Sequence, residues 1–118
     1  MHIREFAFAT SQAVTEFASR ATRVQRVGNG AGEAHAYLIR IDAGGAIGAH
    51  PAGFGQLFVP LEGSGWVSGS DGVRQSVRPG QVACIEVGET HSKGSEEGLT
   101  ALIVQVRAFA FAGARPAR

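Results

Sequence analysis

An all-β sandwich or barrel is the fold class this sequence predicts, and three observations carry it. Glycine supplies 17 of the 118 residues, about twice the average usage of roughly 7%, and breaks the chain at short intervals. Between the breaks lie runs with strand character: "AHAYLIRID" (34–42), "QLFVPL" (56–61), "GWVSGS" (65–70), "VRQSVR" (73–78), "QVACIEV" (81–87) and "LTALIVQVRAFAF" (99–111). Many short strands at close spacing argue for a sandwich or barrel and against a βαβ arrangement. Within "SGSDGV", Asp71-Gly72 tolerates the positive φ that a tight hairpin requires.

Taken in order, the chain opens with one helical pattern. In "SQAVTEFASRA" (11–21), Ser11 is a capping residue, and Val14, Phe17 and Ala18 follow i, i+3, i+4 spacing. So short a helix forms only by packing on the barrel. The expected organisation is a single domain over 1–118. Its N-terminal strand and helix cover 3–21, its barrel core about 34–107, and a frayed basic tail, "GARPAR", covers 113–118. Along "QLFVPL" the side chains alternate, so Gln56, Phe58 and Pro60 share one face and Leu57, Val59 and Leu61 the other. With Gln56 turned inward, the opposite face is wholly apolar and needs a cover. The helix at 11–21 or a second subunit supplies one, and a twofold homodimer is the expectation.

Composition excludes several classes. The net charge is +1, with 44% hydrophobic and 18% charged residues, which reads as globular. The arginines are scattered and Lys93 is the one lysine, so there is no basic face for nucleic acid. No apolar run approaches the ~20 residues of a membrane span, and no secretory h-region is visible at the start. A cytoplasmic location is expected by default. Cys84, the sole cysteine, excludes an internal disulfide and a thiolate zinc cluster; it reads as a small buried apolar side chain counted with the pocket lining.

Two spaced motifs carry the functional reading. Gly44 is followed after five residues by His50, then by Ala52, by Gln56 after three more, and by Gly63 after a further six. Gly80 is followed after five residues by Glu86-Val87-Gly88, by His91 after two, and by Ser95 after three. This resembles the cupin superfamily, whose first motif is G, five residues, H-x-H, three or four residues, E, six residues, G. Its second is G, five residues, P-x-G, two residues, H, three residues, N. Sixteen residues separate the two halves here, as in compact cupins. The resemblance covers residues 44 to 95 and implies a double-stranded β-helix, a jelly-roll-like barrel with a short N-terminal helix. It also implies a metal held inside by three histidines and a glutamate. Carried over position by position, His50, Gln56 and His91 remain as metal ligands, while Ala52 stands where the second histidine belongs, leaving a degenerate motif.

Two imidazoles suit a divalent transition metal such as Zn, Ni, Fe, Mn or Cu, and the amide is a weaker, neutral ligand. Without a metal, the same histidines hydrogen-bond each other, Gln56 or water in a polar interior. Glu86 is the candidate acid or base, since a carboxylate near a ligand histidine abstracts protons or orients the ring; solvated turn surface is the alternative. Phe54 is placed to gate the mouth, Phe58 and Trp66 to form pocket wall, and His35 and Tyr37 to share one face of the preceding strand. Ordinary packing accounts for each of these aromatics equally well. Two functions stay open: a metal-dependent dioxygenase, isomerase or lyase acting on a small organic substrate, and a non-catalytic ligand- or metal-binding sensor or accessory protein.

Overall fold

The structure, a computed structural model, describes residues 1–112; the tail expected at 113–118 lies outside the described residues. Eleven strands are present among them: β1 (His2–Glu5), β2 (Gln12–Ala13), β3 (Arg23–Val24), β4 (Gly28–Ile41), β5 (Ala46–Pro51), β6 (Gly55–Gly63), β7 (Gly65–Ser68), β8 (Arg74–Val77), β9 (Gln81–Ile85), β10 (Thr90–Gly94) and β11 (Leu99–Phe111). They form a five-stranded sheet in the order β1-β9-β6-β11-β4 and a four-stranded sheet in the order β5-β10-β7-β8, with β2 and β3 as a separate ribbon. All pairings are antiparallel. Hydrogen bonding does not run round a closed barrel; two sheets face each other over a shared core.

That core follows from alternation. Phe58, Ala83, Ile85, Leu99, Ala101, Ile103 and Ile41 of the larger sheet pack with Val67 and Val77 of the smaller one and with Ala52. Gln56, Phe58 and Pro60 are all buried, and Phe58 is 0% exposed. The turn at Asp71-Gly72 joins β7 to β8, with the Asp71 carboxylate accepting from the Val73 amide at 2.9 Å and Gly72 at φ 72°. Gly63 ends β6 at φ 84°, and a Cβ there would stand 2.2 Å from Gly98 O. Only glycine fits a positive φ against so close a carbonyl.

The helix expected at 11–21 is absent. This stretch holds β2 and a single 3-10 turn over Glu16–Ala18, and Phe17, Ala18 and Ala21 have positive φ. Ser11 donates its hydroxyl to Phe8 O at 2.7 Å instead of capping a helix. Phe17 is 92% exposed, so the apolar stripe has no surface to pack on. An eleven-residue helix without that docking does not sustain itself.

The outer face of the five-stranded sheet is covered by other means. Leu57, Val82, Cys84 and Phe111 form a second buried cluster, with Val27, Val59, Val104 and Phe109 packed against it. The far end of β11, beyond a register shift between Val106 and Ala108, therefore supplies the cover that the helix was expected to give. Leu61 departs from strict alternation: β11 pairs Thr100 with Glu62 and Ala101 with Pro60, leaving Leu61 as the extra residue of a bulge, 50% exposed.

Phe58 joins the two sheets, so its truncation tests the core. Phe58→Ala is expected to cost about 3–5 kcal/mol, a large part of a typical domain's stability. The check is a urea midpoint shift at constant m-value.

Candidate functional site

The two motif histidines lie side by side on neighbouring strands. β10 pairs with β5 so that His91 stands opposite His50, and their ring centroids are 4.5 Å apart with a 52° tilt. His50 is on the exposed side, and its Nδ1 donates to Gly48 O at 2.8 Å. His91 is 1% exposed, and its Nε2 has no hydrogen-bond partner in the protein.

β6 brings Gln56 to the same interior. The register places Ile85, Gln56, Gln105 and His35 in one row across β9, β6, β11 and β4, and Ala83, Phe58, Ile103 and Tyr37 in the next. Gln56 is 4% exposed, and its Oε1, like His91 Nε2, is buried without a partner. A buried amide oxygen left unpaired costs on the order of 1–3 kcal/mol. Both atoms are buried polar groups with no hydrogen-bond partner among the described residues.

Lys93 changes the character of the site. It lies two residues past His91 on β10, hence on the same face, and is 2% exposed. Its Nζ is 2.8 Å from His91 Nδ1 and 5.3 Å from the Phe58 ring centroid. Burial pushes the Lys93 ammonium down to about 8. Burial first, then the charges of Lys93 and His50, hold His91 down at about 4. Near neutral pH the pair is thus an ammonium donating to a neutral imidazole. An N–H on each side of one contact cannot bond, so His91 carries its ring proton on Nε2.

At the edge of the larger sheet the aromatics form a stack. Phe54 lies parallel to His35 at 5.6 Å, His35 stacks on Tyr37 at 6.0 Å, and the Arg107 guanidinium sits 5.0 Å from the Phe54 ring. Glu33 ties the stack together, bonding His35 Nε2 at 2.6 Å and accepting from Arg107 at 2.7 Å. The bonds to His35 and then Arg107 hold its carboxyl below the usual range.

Three candidates stand elsewhere. Cys84 belongs to the outer cluster with Leu57 and Phe111, where burial raises its thiol to about 11, so it is inert. Trp66 packs on Gly94 with the Arg74 guanidinium 3.8 Å above its ring, while its neighbour Val67 enters the core. Glu86 is exposed on the turn after β9, its amide bonded by Glu89 at 3.2 Å, in a cleft with Gly30, Gly55, Arg107 and Phe109. Conversely, buried Lys93 and half-buried Gln105 are residues that the sequence reading did not single out. Strand alternation from His91 and from Gln56's partner strand was the available signal.

The residues present do not fit a metal. Ala52, in the place of the second histidine, is a buried methyl in the core. The carboxylate position holds an amide, and among the described residues no three His, Cys, Asp or Glu side chains gather as a metal site would require.

No family model and no curated protein matches the chain. Solved structures do. An RmlC-like cupin family protein with a double-stranded β-helix fold from Methanocaldococcus jannaschii aligns with a TM-score of 0.61 at 10% identity, over 84% of this chain and 90% of that one. A conserved double-stranded β-helix protein from Klebsiella pneumoniae gives 0.59 at 17% identity, over 94% and 98%. A predicted oxalate decarboxylase from Thermotoga maritima gives 0.56 at 23% identity, over 61% of this chain and 64% of that one. The chain therefore shares the double-stranded β-helix fold of these cupin structures, built here as two facing sheets.

Proposed function

We propose that this protein is a metal-independent cupin whose interior binds a small organic acid. The observation that carries the reading is Lys93, buried at 2% exposure with His91 as its one polar partner among the described residues. Moving an ammonium out of water costs several kcal/mol even after relaxation, and a buried charge is kept where something pairs with it. No carboxylate of the protein lies within ion-pair distance of it among the described residues. An anionic ligand supplies the missing charge. The protonated His91 Nε2 donates to its oxygen, and Gln56 Oε1 accepts from a hydroxyl or acid proton. The Thermotoga structure described as a predicted oxalate decarboxylase supports the choice of a small carboxylate as first probe.

A second copy on the outer face is part of this reading. Leu38 is 74% exposed and Leu61 50% exposed, and Leu38 shares a row with half-buried Leu102 and Val59. Such a strip favours a self-complementary contact. Leu38→Glu is expected to give monomers where light scattering finds a wild-type dimer; a monomeric wild type ends the idea.

Protein purified without added metal is expected to hold no stoichiometric metal by elemental analysis. Oxalate or pyruvate should still bind it by calorimetry in the presence of EDTA. Lys93→Met should weaken that binding about tenfold or more, which is 1.4 kcal/mol or more. Metal at one equivalent per chain, or carboxylate binding that needs it, would overturn the reading.

The same substitution should stabilise the protein. With the amine near 8 when folded and 10.5 when free, the unfolded chain binds the extra proton between those values, so stability rises with pH there. The penalty of burying the charge is therefore complete below about pH 8 and gone above about 10.5. Lys93→Met is expected to be more stable by roughly 3 kcal/mol at pH 7, the gap closing across that window. Cys84, raised from 9.0 to about 11, acts in the opposite direction at the upper end, but it is common to both proteins and cancels in the difference. Denaturant titrations of the two proteins from pH 7 to 10.5 measure it.

A further inference from the structure

The free edges of the two sheets are not alike. β1, at one edge of the larger sheet, has four residues, Arg4 and Glu5 among them. In the smaller sheet β8 also has four and opens on Arg74, while β5 contains Gly48 and ends at Pro51. Short strands, charges and proline are the devices that keep a sheet edge from pairing with another chain. β4, the remaining edge, has none of them along its centre. It runs for 14 residues and among the described residues pairs with β11 alone. From Ala34 to Ile39 it carries no proline, carboxylate, lysine or arginine. Two large side chains stand out from this stretch on opposite faces. Tyr37, in the inner row with Phe58 and Ile103, is 50% exposed, and Leu38, on the outer face, is 74% exposed.

We infer that β4 is the edge along which two copies of this chain join, antiparallel, with Tyr37 on the twofold axis. The inference deepens the second-copy reading above, giving that copy a strand and a register. A twofold axis normal to the sheet keeps each face continuous, so the residue on the axis stands opposite its own copy. Two features bound the straight part of the edge. At one end Gly32 and Glu33 together oppose Arg107, with Gly32 at φ 93°, a bulge that bends the strand. At the other, buried Ile41 leads into the turn where Gly45 N donates to Asp42 O at 2.8 Å. Tyr37 is the midpoint of the run from Ala34 to Arg40 between them. Centred there, each Leu38 lies opposite the partner's Ala36, a large exposed side chain over a small one. This contact is on the face where Leu102 and Val59 continue the apolar strip. On the other face the two Tyr37 rings meet as a cross-strand aromatic pair. The partner's Tyr37 thereby extends the stack of Phe54, His35 and Tyr37. Charge fits as well. Arg40 comes opposite the partner's Ala34, next to the partner's Glu33, while the two arginines stand at opposite ends of the ladder.

Two measurements on the full chain test this. Cys84, the one native cysteine, is 0% exposed, so an added cysteine reports alone. Disulfides form where Cβ atoms stand about 3.5–4.5 Å apart, a closeness that only a residue at the axis has to its own copy. Under mild oxidation Tyr37→Cys is expected to crosslink about tenfold faster, or more, than Ala36→Cys or Leu38→Cys. The second measurement uses the wild type. Backbone amides of β4 that point away from β11 are expected to exchange slowly with D2O where light scattering finds the dimer, and to lose that protection on dilution to monomer. A dimer whose β4 edge amides exchange freely, or one that crosslinks fastest through Ala36→Cys or Leu38→Cys, overturns this edge ladder and leaves the outer-face contact standing. Edge amides equally protected in the monomer overturn it too. A monomeric wild type removes both.

Discussion

A lysine ammonium held against a histidine inside the sheet sandwich is the constraint on which the rest of the interior depends. Three things make its burial tolerable. His91 accepts one of its protons at 2.8 Å, the face of Phe58 lies 5.3 Å away, within cation–π range, and β10 is pinned on both edges, by β5 and by β7. The strand cannot rotate Lys93 into solvent without turning His91 out of the interior as well, since a side-chain period of two ties the faces of residues two apart. The ammonium in turn holds the His91 ring in place through Nδ1.

The fold was legible where alternation and punctuation act together. The runs at 56–61, 81–87 and 99–111 became β6, β9 and β11, and the Asp71-Gly72 turn joined β7 to β8. β5 and β10 gave no strand signal of their own, because alanine, glycine, histidine and lysine have weak β preference; motif spacing alone marked them. The helical spacing at 11–21 misled because periodicity reports a possible face and not a surface for it to meet. That surface was taken by Phe109 and Phe111 from the long end of β11, a contact between residues too far apart in the chain for local pattern to show.

The motif positions were legible in the sequence, and the lysine beside them was not. The motif named His50, Gln56 and His91, and the strands bring the two histidines together with Gln56 in the same interior. Lys93 went unweighed because lysine defaults to solvent, although alternation from His91 places it on the same face. Cys84 shows the converse: its burial was foreseen, but alternation sends it to the outer cluster while Ala83 and Ile85 line the core.

The departures from the cupin motif form one electrostatic change and not three separate losses. In the pattern the sequence resembles, a dication, three neutral imidazoles and one carboxylate sum to a charge of one. Here the Lys93 ammonium, against the His91 imidazole, supplies the buried positive charge. Gln56 in the carboxylate position leaves the buried Lys93 ammonium without a carboxylate of the protein in ion-pair distance among the described residues. Replacing a histidine by Ala52 removes a lone pair that no metal needs, and its methyl joins the core instead. What differs is the reach of the charge. A metal bonds its substrate directly, whereas Lys93 acts through the His91 ring, as a polarised N–H of fixed direction. Such a group stabilises charge at one point, a narrower ability than that of a Lewis acid.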